Sequence, residues 1–127
     1  MMVPKFRAWH MPFGPKGPMQ EMVHGRAGSI LTQAEMTPDD YIVEQYTGLK
    51  DANGNMIYEN DIIKYFGANK RVKIKTTYGI VFFDSEHGCF NSRIQNEEHN
   101  KGGISPLDDL IVGNVHANPE LLEAQHE

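Results

Sequence analysis

The sequence predicts a mostly β protein of one domain, folded as a small barrel or sandwich. Ten Ile and 7 Val outnumber 6 Leu and 7 Ala, and β-branched side chains pack well on a pleated sheet but lose rotamer freedom in a helix. The apolar runs are short and are separated by turn residues at spacings typical of antiparallel sheets. The length of 127 residues is enough for one hydrophobic core and too short for two.

The N-terminal third contains a predicted strand, a loop and an ambiguous segment. The strand covers residues 5–10, where apolar and charged side chains mix. Residues 11–20 carry three prolines and two glycines. Because proline lacks an N–H and sustains neither a helix nor a sheet ladder, we expect an exposed loop there. Residues 22–36 fit no clear period, and 29–32 is the best candidate for a strand.

A short helix is predicted around residues 38–41, followed directly by a strand over 41–46. Thr37 offers a hydroxyl at the N-cap, and Pro38 suits the first helical position, where no N–H is needed. The residues from 41 onward are rich in Tyr, Ile and Val, which favours a strand.

Asn53-Gly54 predicts a β-hairpin. Both residues tolerate the positive φ that a two-residue type I′ turn requires at its central positions. Counting outward from this turn pairs Asp51 with Met56.

The second half of the chain is predicted to supply most of the sheet. Apolar strands are expected over residues 62–66, 78–83, 89–94 and 107–115. The strand over 78–83 should be central or enclosed, because both of its faces carry large apolar side chains. A polar surface loop is predicted over 95–103, and a C-terminal helix over 119–125, with Asn118 as its cap.

Composition restricts the functional classes. Twelve basic and 17 acidic residues give a net charge of −5, which argues against a general attraction to phosphate but leaves room for a local basic patch. Cys89 is the only cysteine and cannot form an intrachain disulfide. No apolar run reaches the length of a membrane span. We therefore expect a cytoplasmic protein that does not enter a membrane.

The sequence contains no recognisable pattern of catalytic or cofactor-binding residues. It lacks a phosphate-binding glycine loop, a nucleophile elbow and a metal-hydrolase motif, so we expect neither enzymatic activity nor a cofactor. His87 and Cys89 share one strand face and His99 follows in a loop, but a structural zinc site needs four ligands, and ordinary surface histidines explain the pattern better. The adjacent carboxylates at residues 39–40 and 108–109 are assigned to capping.

A local basic region interrupts the acidic background. No acidic residue lies between Asp61 and Asp84, whereas five cations do. A strand is predicted over 71–75, with Val72 and Ile74 facing the core and the cations in a row on the other face. Such a row could follow a nucleic-acid backbone, with aromatics available for stacking, although lysines that protect a sheet edge give the same pattern. The candidate contacts for nucleic acid or a protein partner are Lys64, Tyr65, Lys70, Arg71, Lys73 and Lys75.

Several segments together carry a resemblance to a known family. They are QYTGLKD at 45–51 followed by NG at 53–54, IYENDI at 57–62, VGNV at 112–115 and NPELL at 118–122. With the KFRAW opening at 5–9, they resemble the YopX family of bacteriophage and prophage proteins, and 11–36 and 95–105 are inserts without a match. Where that family usually has glycine this chain has Asn60, and asparagine is the non-glycine residue best able to take a positive φ, which we expect there.

The resemblance implies a mostly β fold with an SH3-like barrel at its centre, a phage or prophage origin, and no known set of catalytic residues. The first functional hypothesis is a non-enzymatic binding module that contacts a protein or a nucleic acid through surface loops and the basic strand. The second is a homo-oligomeric accessory or structural phage protein, in which exposed Met11, Phe13 and Met19 meet a neighbouring copy. The third is an enzyme of undetected type.

Overall fold

The computed structural model describes residues 5–95 and 101–123. This part of the protein is mostly β and contains two sheets of four antiparallel strands with a few short helices, which confirms the predicted class at this level. The chain divides by its internal contacts into two compact units, Met1–Tyr46 and Thr47–Glu127. The single domain expected from the length stays a prediction.

Strands, two α-helices and one 3-10 helix follow one another along the described residues. In chain order they are β1 Phe6–His10, β2 Glu21–His24, α1 Ala27–Met36, the 3-10 helix Pro38–Asp40, β3 Tyr41–Lys50, β4 Met56–Tyr58, β5 Asp61–Lys64, β6 Tyr78–Asp84, β7 Cys89–Ile94, β8 Leu110–Asn114 and α2 Glu120–Glu123. The strand orders are β2-β1-β3-β4 and β7-β6-β5-β8, so the prediction that β6 is central is confirmed. Within the described ranges, no helix combines the length and apolar character that crossing a membrane requires.

The first unit is organised around β1, which confirms the strand predicted over residues 5–10. This strand pairs with β2 on one side and with β3 on the other. Ala8 and Trp9 of β1 are buried, and Arg7 donates from its Nε to the Glu44 carboxylate of β3 at 2.8 Å. The first unit therefore encloses an ion pair next to its apolar residues.

The predicted loop over residues 11–20 is confirmed as irregular backbone, and a single side chain organises it. Gln20 accepts a hydrogen bond from the indole Nε1 of Trp9 at 2.8 Å. Its amide nitrogen donates to the carbonyls of Pro15 and Gly17 at 2.9 and 3.0 Å. The loop is thus fastened to β1 through Trp9.

Met11 lies in the core of the first unit, contrary to the prediction that it is exposed. Its side chain is buried, and its amide donates to the Asp40 carbonyl at 2.7 Å, so it is not available to a neighbouring copy. Phe13 and Met19 of the same loop are 64% and 74% exposed, as predicted.

Residues 29–32 lie in α1, so the strand predicted there is wrong. Ala, Leu, Gln, Glu and Met occupy much of α1 and favour a helix, and Ile30 supplies its buried contact. The short helix predicted around 38–41 is confirmed over Pro38–Asp40. Thr37 occupies the predicted N-cap position, but its hydroxyl makes no capping bond and donates instead to the Gln33 carbonyl of α1 at 3.2 Å.

The core of the second unit contains Ile57, Ile63, Tyr65 and Val81. Gly79 approaches the Tyr65 side chain so closely that a Cβ at position 79 would lie within 3.0 Å of the Tyr65 hydroxyl. Real Cβ atoms essentially never come so near a neighbour, so this position of β6 requires glycine for space.

Several predicted elements of the second unit are confirmed with shifted ends. The segments predicted at 62–66, 89–94, 107–115 and 119–125 correspond to β5, β7, β8 and α2. The polar loop predicted over 95–103 includes residues 96–100, which lie outside the described residues, as do 124 and 125 of the predicted helix.

The hairpin predicted at Asn53-Gly54 is confirmed between β3 and β4, but its turn differs. The Asp51 amide donates to the Asn55 carbonyl at 2.8 Å, so Asp51 pairs with Asn55 and not with Met56. The Asp51 carboxylate accepts hydrogen bonds from the amides of Asn53 and Asn55, at 3.0 and 2.9 Å. In this loop the positive φ, 83°, belongs to Gly54. The aspartate side chain therefore favours a longer loop than a type I′ turn.

Asn60 adopts a φ of 66° between β4 and β5, which confirms the expected positive φ. Its amide donates to the Val81 carbonyl at 2.8 Å, and its carbonyl accepts from the Val115 amide at 3.0 Å. The left-handed residue thus ties three segments of the second unit together.

Candidate functional site

Most of the predicted contact residues lie on one loop, here called the basic loop, which comprises residues 65–77 and joins β5 to β6. The strand predicted over residues 71–75 is wrong. The last residue of β5 pairs with the first residue of β6, and this direct pairing leaves 71–75 outside both sheets. Val72 and Ile74, which were predicted to face the core, are 37% and 49% exposed.

Two adjacent aspartates hold the first half of the basic loop. The Asp109 carboxylate accepts hydrogen bonds from the amides of Phe66 and Ser105, at 3.0 and 2.8 Å. The Asp108 carboxylate accepts one from the Asn69 side chain at 3.0 Å. The prediction that residues 108–109 cap a turn is confirmed. Their bonds to the basic loop were missed, because nothing local in the sequence indicates a partner about 40 residues away.

The same turn exposes Leu107 almost fully. The sequence places this residue in a buried strand, yet β8 begins only at Leu110. An apolar side chain therefore lies on the turn that anchors the basic loop, and no sequence signal identifies it.

The structure separates the six candidate contact residues into two groups. Lys64 is half-buried in β5, and Tyr65 is 8% exposed. The Ser92 hydroxyl donates to the Gly103 carbonyl, so the Tyr65 hydroxyl, 2.5 Å from Ser92 Oγ, is the donor of that bond. Burial raises the pKa of Tyr65. Tyr65 is thus a core residue and cannot stack on a base, which corrects its assignment as a contact. The exposed candidates are Lys70, Arg71, Lys73 and Lys75.

These four exposed cations are not neutralised within the described part of the chain. None of them forms an ion pair with a described residue. The backbone amides of residues 73–75 likewise have no hydrogen-bond partner among the described residues. Residues 72–77 contain no turn, bend or helix. We call residues 71–76 the open segment.

A second polar cluster lies at the turn between β6 and β7. Asp84, Glu86 and His87 each place a possible ligand atom within 4.8 Å of the others. The Lys101 ammonium lies 2.9 Å from the Asp84 carboxylate and 3.4 Å from that of Glu86. A lysine thus supplies the positive charge that compensates these carboxylates, and the cluster is explained as an ion-pair network.

The cluster does not unite the metal ligands considered from the sequence. Cys89 is exposed and is opposite Asp84 in the β6–β7 ladder, outside the group that contains His87. His99 lies outside the described residues. The role we assign to the network is to fasten residue 101 to the β6–β7 turn.

The contact between Asp84 and Lys101 makes stability depend on pH. The hydrogen bond from Lys101 holds the pKa of Asp84 well below its ordinary 3.8, and the Asp84 carboxylate raises the pKa of Lys101 above its ordinary 10.5. A depressed carboxyl pKa stabilises the fold above the ordinary value, and the contribution is lost as the pH falls. A raised lysine pKa stabilises the fold below its ordinary value, and the contribution is lost as the pH rises. The contact therefore stabilises the protein between about pH 4 and pH 10.

We expect Asp84→Asn to lower Tm near neutral pH, with the gap to the unmodified protein complete at about pH 6 and much smaller at about pH 2, because the contribution is lost only as the pH falls below the ordinary pKa of 3.8. Thermal unfolding followed by circular dichroism measures the gap. Asp39→Asn, at an exposed carboxyl of the first unit, is the control and should leave Tm unchanged. A gap of equal size at both pH values would contradict the assignment.

Comparison with known proteins gives a family match and a similar solved structure. A family model described as "YopX protein" matches residues 18–123, and no curated protein matches the chain significantly. The chain is similar to the crystal structure of protein EF1440 from Enterococcus faecalis, at 25% identity and a TM-score of 0.57, over 96% of this chain and 99% of that chain. The resemblance found in the sequence is confirmed over residues 18–123, and the opening at 5–9 lies outside the matched range.

Proposed function

The chain belongs to the YopX family, and we propose that it is a non-enzymatic binding module whose basic loop holds an anionic macromolecule. One observation carries this proposal. Four exposed cations lie within six consecutive residues, none of them is paired with a described residue, and no acid occurs between Asp61 and Asp84 in a chain of net charge −5.

The charge of the open segment is better explained by a partner than by protection of a sheet edge. Lysines protect an edge strand from pairing with other chains, but the open segment belongs to neither sheet. Like charges held close together repel one another. Binding of an anionic polymer relieves this repulsion. It also releases the counterions of the polymer, and their gain in entropy favours binding. The arrangement therefore favours binding to a polyanion, either a nucleic acid or an acidic protein segment.

We further propose that the second unit is an SH3-like barrel and that the protein comes from a phage or prophage and acts in the cytoplasm. The support is the family resemblance of the segments at 45–62 and 112–122. The neighbouring genes test the proposed origin. If all of them were ordinary bacterial genes, the phage or prophage origin would be contradicted.

A homo-oligomer is a second candidate, supported by the exposure of Phe13 and Met19 on the loop over residues 11–20. Light scattering tests it, with Phe13→Ser/Met19→Ser as the variant. Dissociation of an assembly by this variant would support the second candidate, and a monomer at micromolar concentration would remove it.

We expect the double variant Lys73→Glu/Lys75→Glu to bind single-stranded DNA, or a polyglutamate peptide, about ten-fold or more weakly than the unmodified protein does at low salt. The double reversal changes the charge of the basic loop from +4 to 0 (two cations less two anions), so the loop no longer attracts either negatively charged probe. Fluorescence anisotropy over a salt series measures the affinity and its salt slope, which is about −0.7 per phosphate contact on a single strand.

The matched control for this experiment is Lys16→Glu/Lys50→Glu. Both lysines are exposed and lie outside the basic loop, so the control has the same net charge as the test variant. Equal losses in the two variants would mean that only net charge matters. Unchanged binding in the test variant would remove the basic loop from the proposal.

A further inference from the structure

The open segment offers backbone donors at its centre for pairing with another strand, whereas the amides of Arg71 and Val72 at its start donate to Asn69. Its central amides, at residues 73–75, have no partner among the described residues. Neither a turn nor a bend interrupts residues 72–77, and no described residue of this stretch has a positive φ. Unpaired backbone donors in a run without bends are the requirement for strand addition, in which main-chain hydrogen bonds give the affinity.

The side chains of the open segment alternate in the period of a strand. Arg71, Lys73 and Lys75 alternate with Val72 and Ile74, and in an extended backbone successive side chains point to opposite faces. The β-branched residues also favour a strand. An added strand would therefore meet a row of cations on one face and an exposed apolar pair on the other.

These features fit a peptide better than a nucleic acid. Sequence-tolerant binding of single strands relies on aromatic side chains that stack on successive bases. In the basic loop Tyr65 is buried, and Tyr78, which follows it, is half-buried in β6. The one exposed aromatic of the loop, Phe66, precedes the first cation by four residues, so the loop does not offer a series of stacking side chains. The alternation of cations with β-branched residues has no role in contacts to phosphate alone, whereas it matches the two faces of a paired strand.

We propose that the open segment binds an extended segment of a partner protein, in which acidic and apolar residues alternate, as an added β-strand. This inference rests on the proposed function and names its partner. Acidic side chains of the partner lie opposite Lys73 and Lys75, where cross-strand pairs of opposite charge are favourable. Its apolar side chains cover Val72 and Ile74.

The test uses the full chain and a short, end-blocked peptide that alternates glutamate with valine. Three comparison probes are the same peptide with alternate backbone amides N-methylated, a peptide of identical composition with its glutamates grouped together, and single-stranded oligothymidine. N-methylation removes backbone donors and keeps every charge. We expect it, and the grouping of charges, each to weaken binding by about ten-fold or more.

The matched protein variants are Ile74→Pro and Ile74→Val. Proline removes the amide and disfavours a strand without changing the charge, whereas valine keeps both the amide and the β-branched shape. We expect Ile74→Pro to weaken peptide binding about ten-fold and Ile74→Val to leave it nearly unchanged. Circular dichroism of both variants checks that the fold is intact. Amide hydrogen exchange should slow at alternate residues, either 74 or both 73 and 75, when the alternating peptide is bound, because successive amides of a strand point to opposite edges.

The outcomes separate this inference from the proposed function. Equal binding of the alternating, grouped and N-methylated peptides would overturn strand addition and leave a charge-driven module. Tighter binding of oligothymidine, unaffected by Ile74→Pro, would assign the loop to nucleic acid and overturn the inference. Failure of every anionic probe to bind would overturn both proposals.

Discussion

Arg7→Ala is expected to lower the free energy of unfolding by about 3–5 kcal/mol, the cost of breaking a buried ion pair by removing one partner. The Glu44 carboxylate is 0% exposed, and the Arg7 Nε that donates to it at 2.8 Å is also buried. Truncation of Arg7 leaves a carboxylate in the core without its guanidinium. Because water does not reach it, the lost charge contact is not replaced by solvation.

The measurement is urea unfolding followed by the fluorescence of Trp9, the only tryptophan, which lies two residues from Arg7 on β1. The control is the double variant Arg7→Met/Glu44→Met, which replaces both charges with apolar side chains and should cost much less than the single change. If Arg7→Ala stays within about 1 kcal/mol of the unmodified protein, the pair does not have the assigned role.

Gly79→Ala is expected to destabilise the second unit by about 3 kcal/mol, the upper part of the range for overpacking a core. The new Cβ would lie within 3.0 Å of the hydroxyl, Cζ and Cε2 of Tyr65. The ring has no simple way to yield, because Tyr65 is buried and its hydroxyl is bonded to Ser92. Either the ring or β6 must shift, and both movements disturb the core around Ile63 and Val81.

Tyrosine fluorescence and near-ultraviolet circular dichroism in urea measure this effect. Gly28→Ala is the matched control, since a Cβ at position 28 of α1 meets nothing within 4 Å, and it should raise stability by up to about 1 kcal/mol. Combining Gly79→Ala with Tyr65→Phe should cost less than the sum of the two single changes, because the hydroxyl that meets the new methyl is gone. Strict additivity, or a stable Gly79→Ala, would show that the two residues do not meet.

The sequence predicted those parts of the fold that depend on local chemistry. Asn60 has a positive φ because few other side chains tolerate one, and β6 is central because it is apolar on both faces. The strands predicted over residues 29–32 and 71–75 were wrong for a common reason. A strand needs a partner strand as well as suitable side chains. The β-branched residues did not reveal that Ile30 is the buried residue of a helix. They also did not reveal that β5 pairs directly with β6, which leaves residues 71–75 unpaired.

The candidate site, like the fold, was predicted where it depends on local sequence and missed where it depends on distant contacts. The cluster of cations follows from the order of residues, and four of the six candidates are exposed on one loop. The burial of Tyr65 and the anchoring by Asp108 and Asp109 depend on contacts between segments far apart in the chain. No local pattern contains that information.

The anchoring of the basic loop has a consequence for the thermodynamics of recognition. Asp108 and Asp109 already hold Phe66 and Asn69, the part of the basic loop that precedes the open segment, so the proposed binding would not have to order that part. The conformational entropy lost on the proposed association would then come mainly from the open segment itself. Because the open segment lies outside both sheets, a strand added there as proposed could dissociate without changing the pairing in either of them.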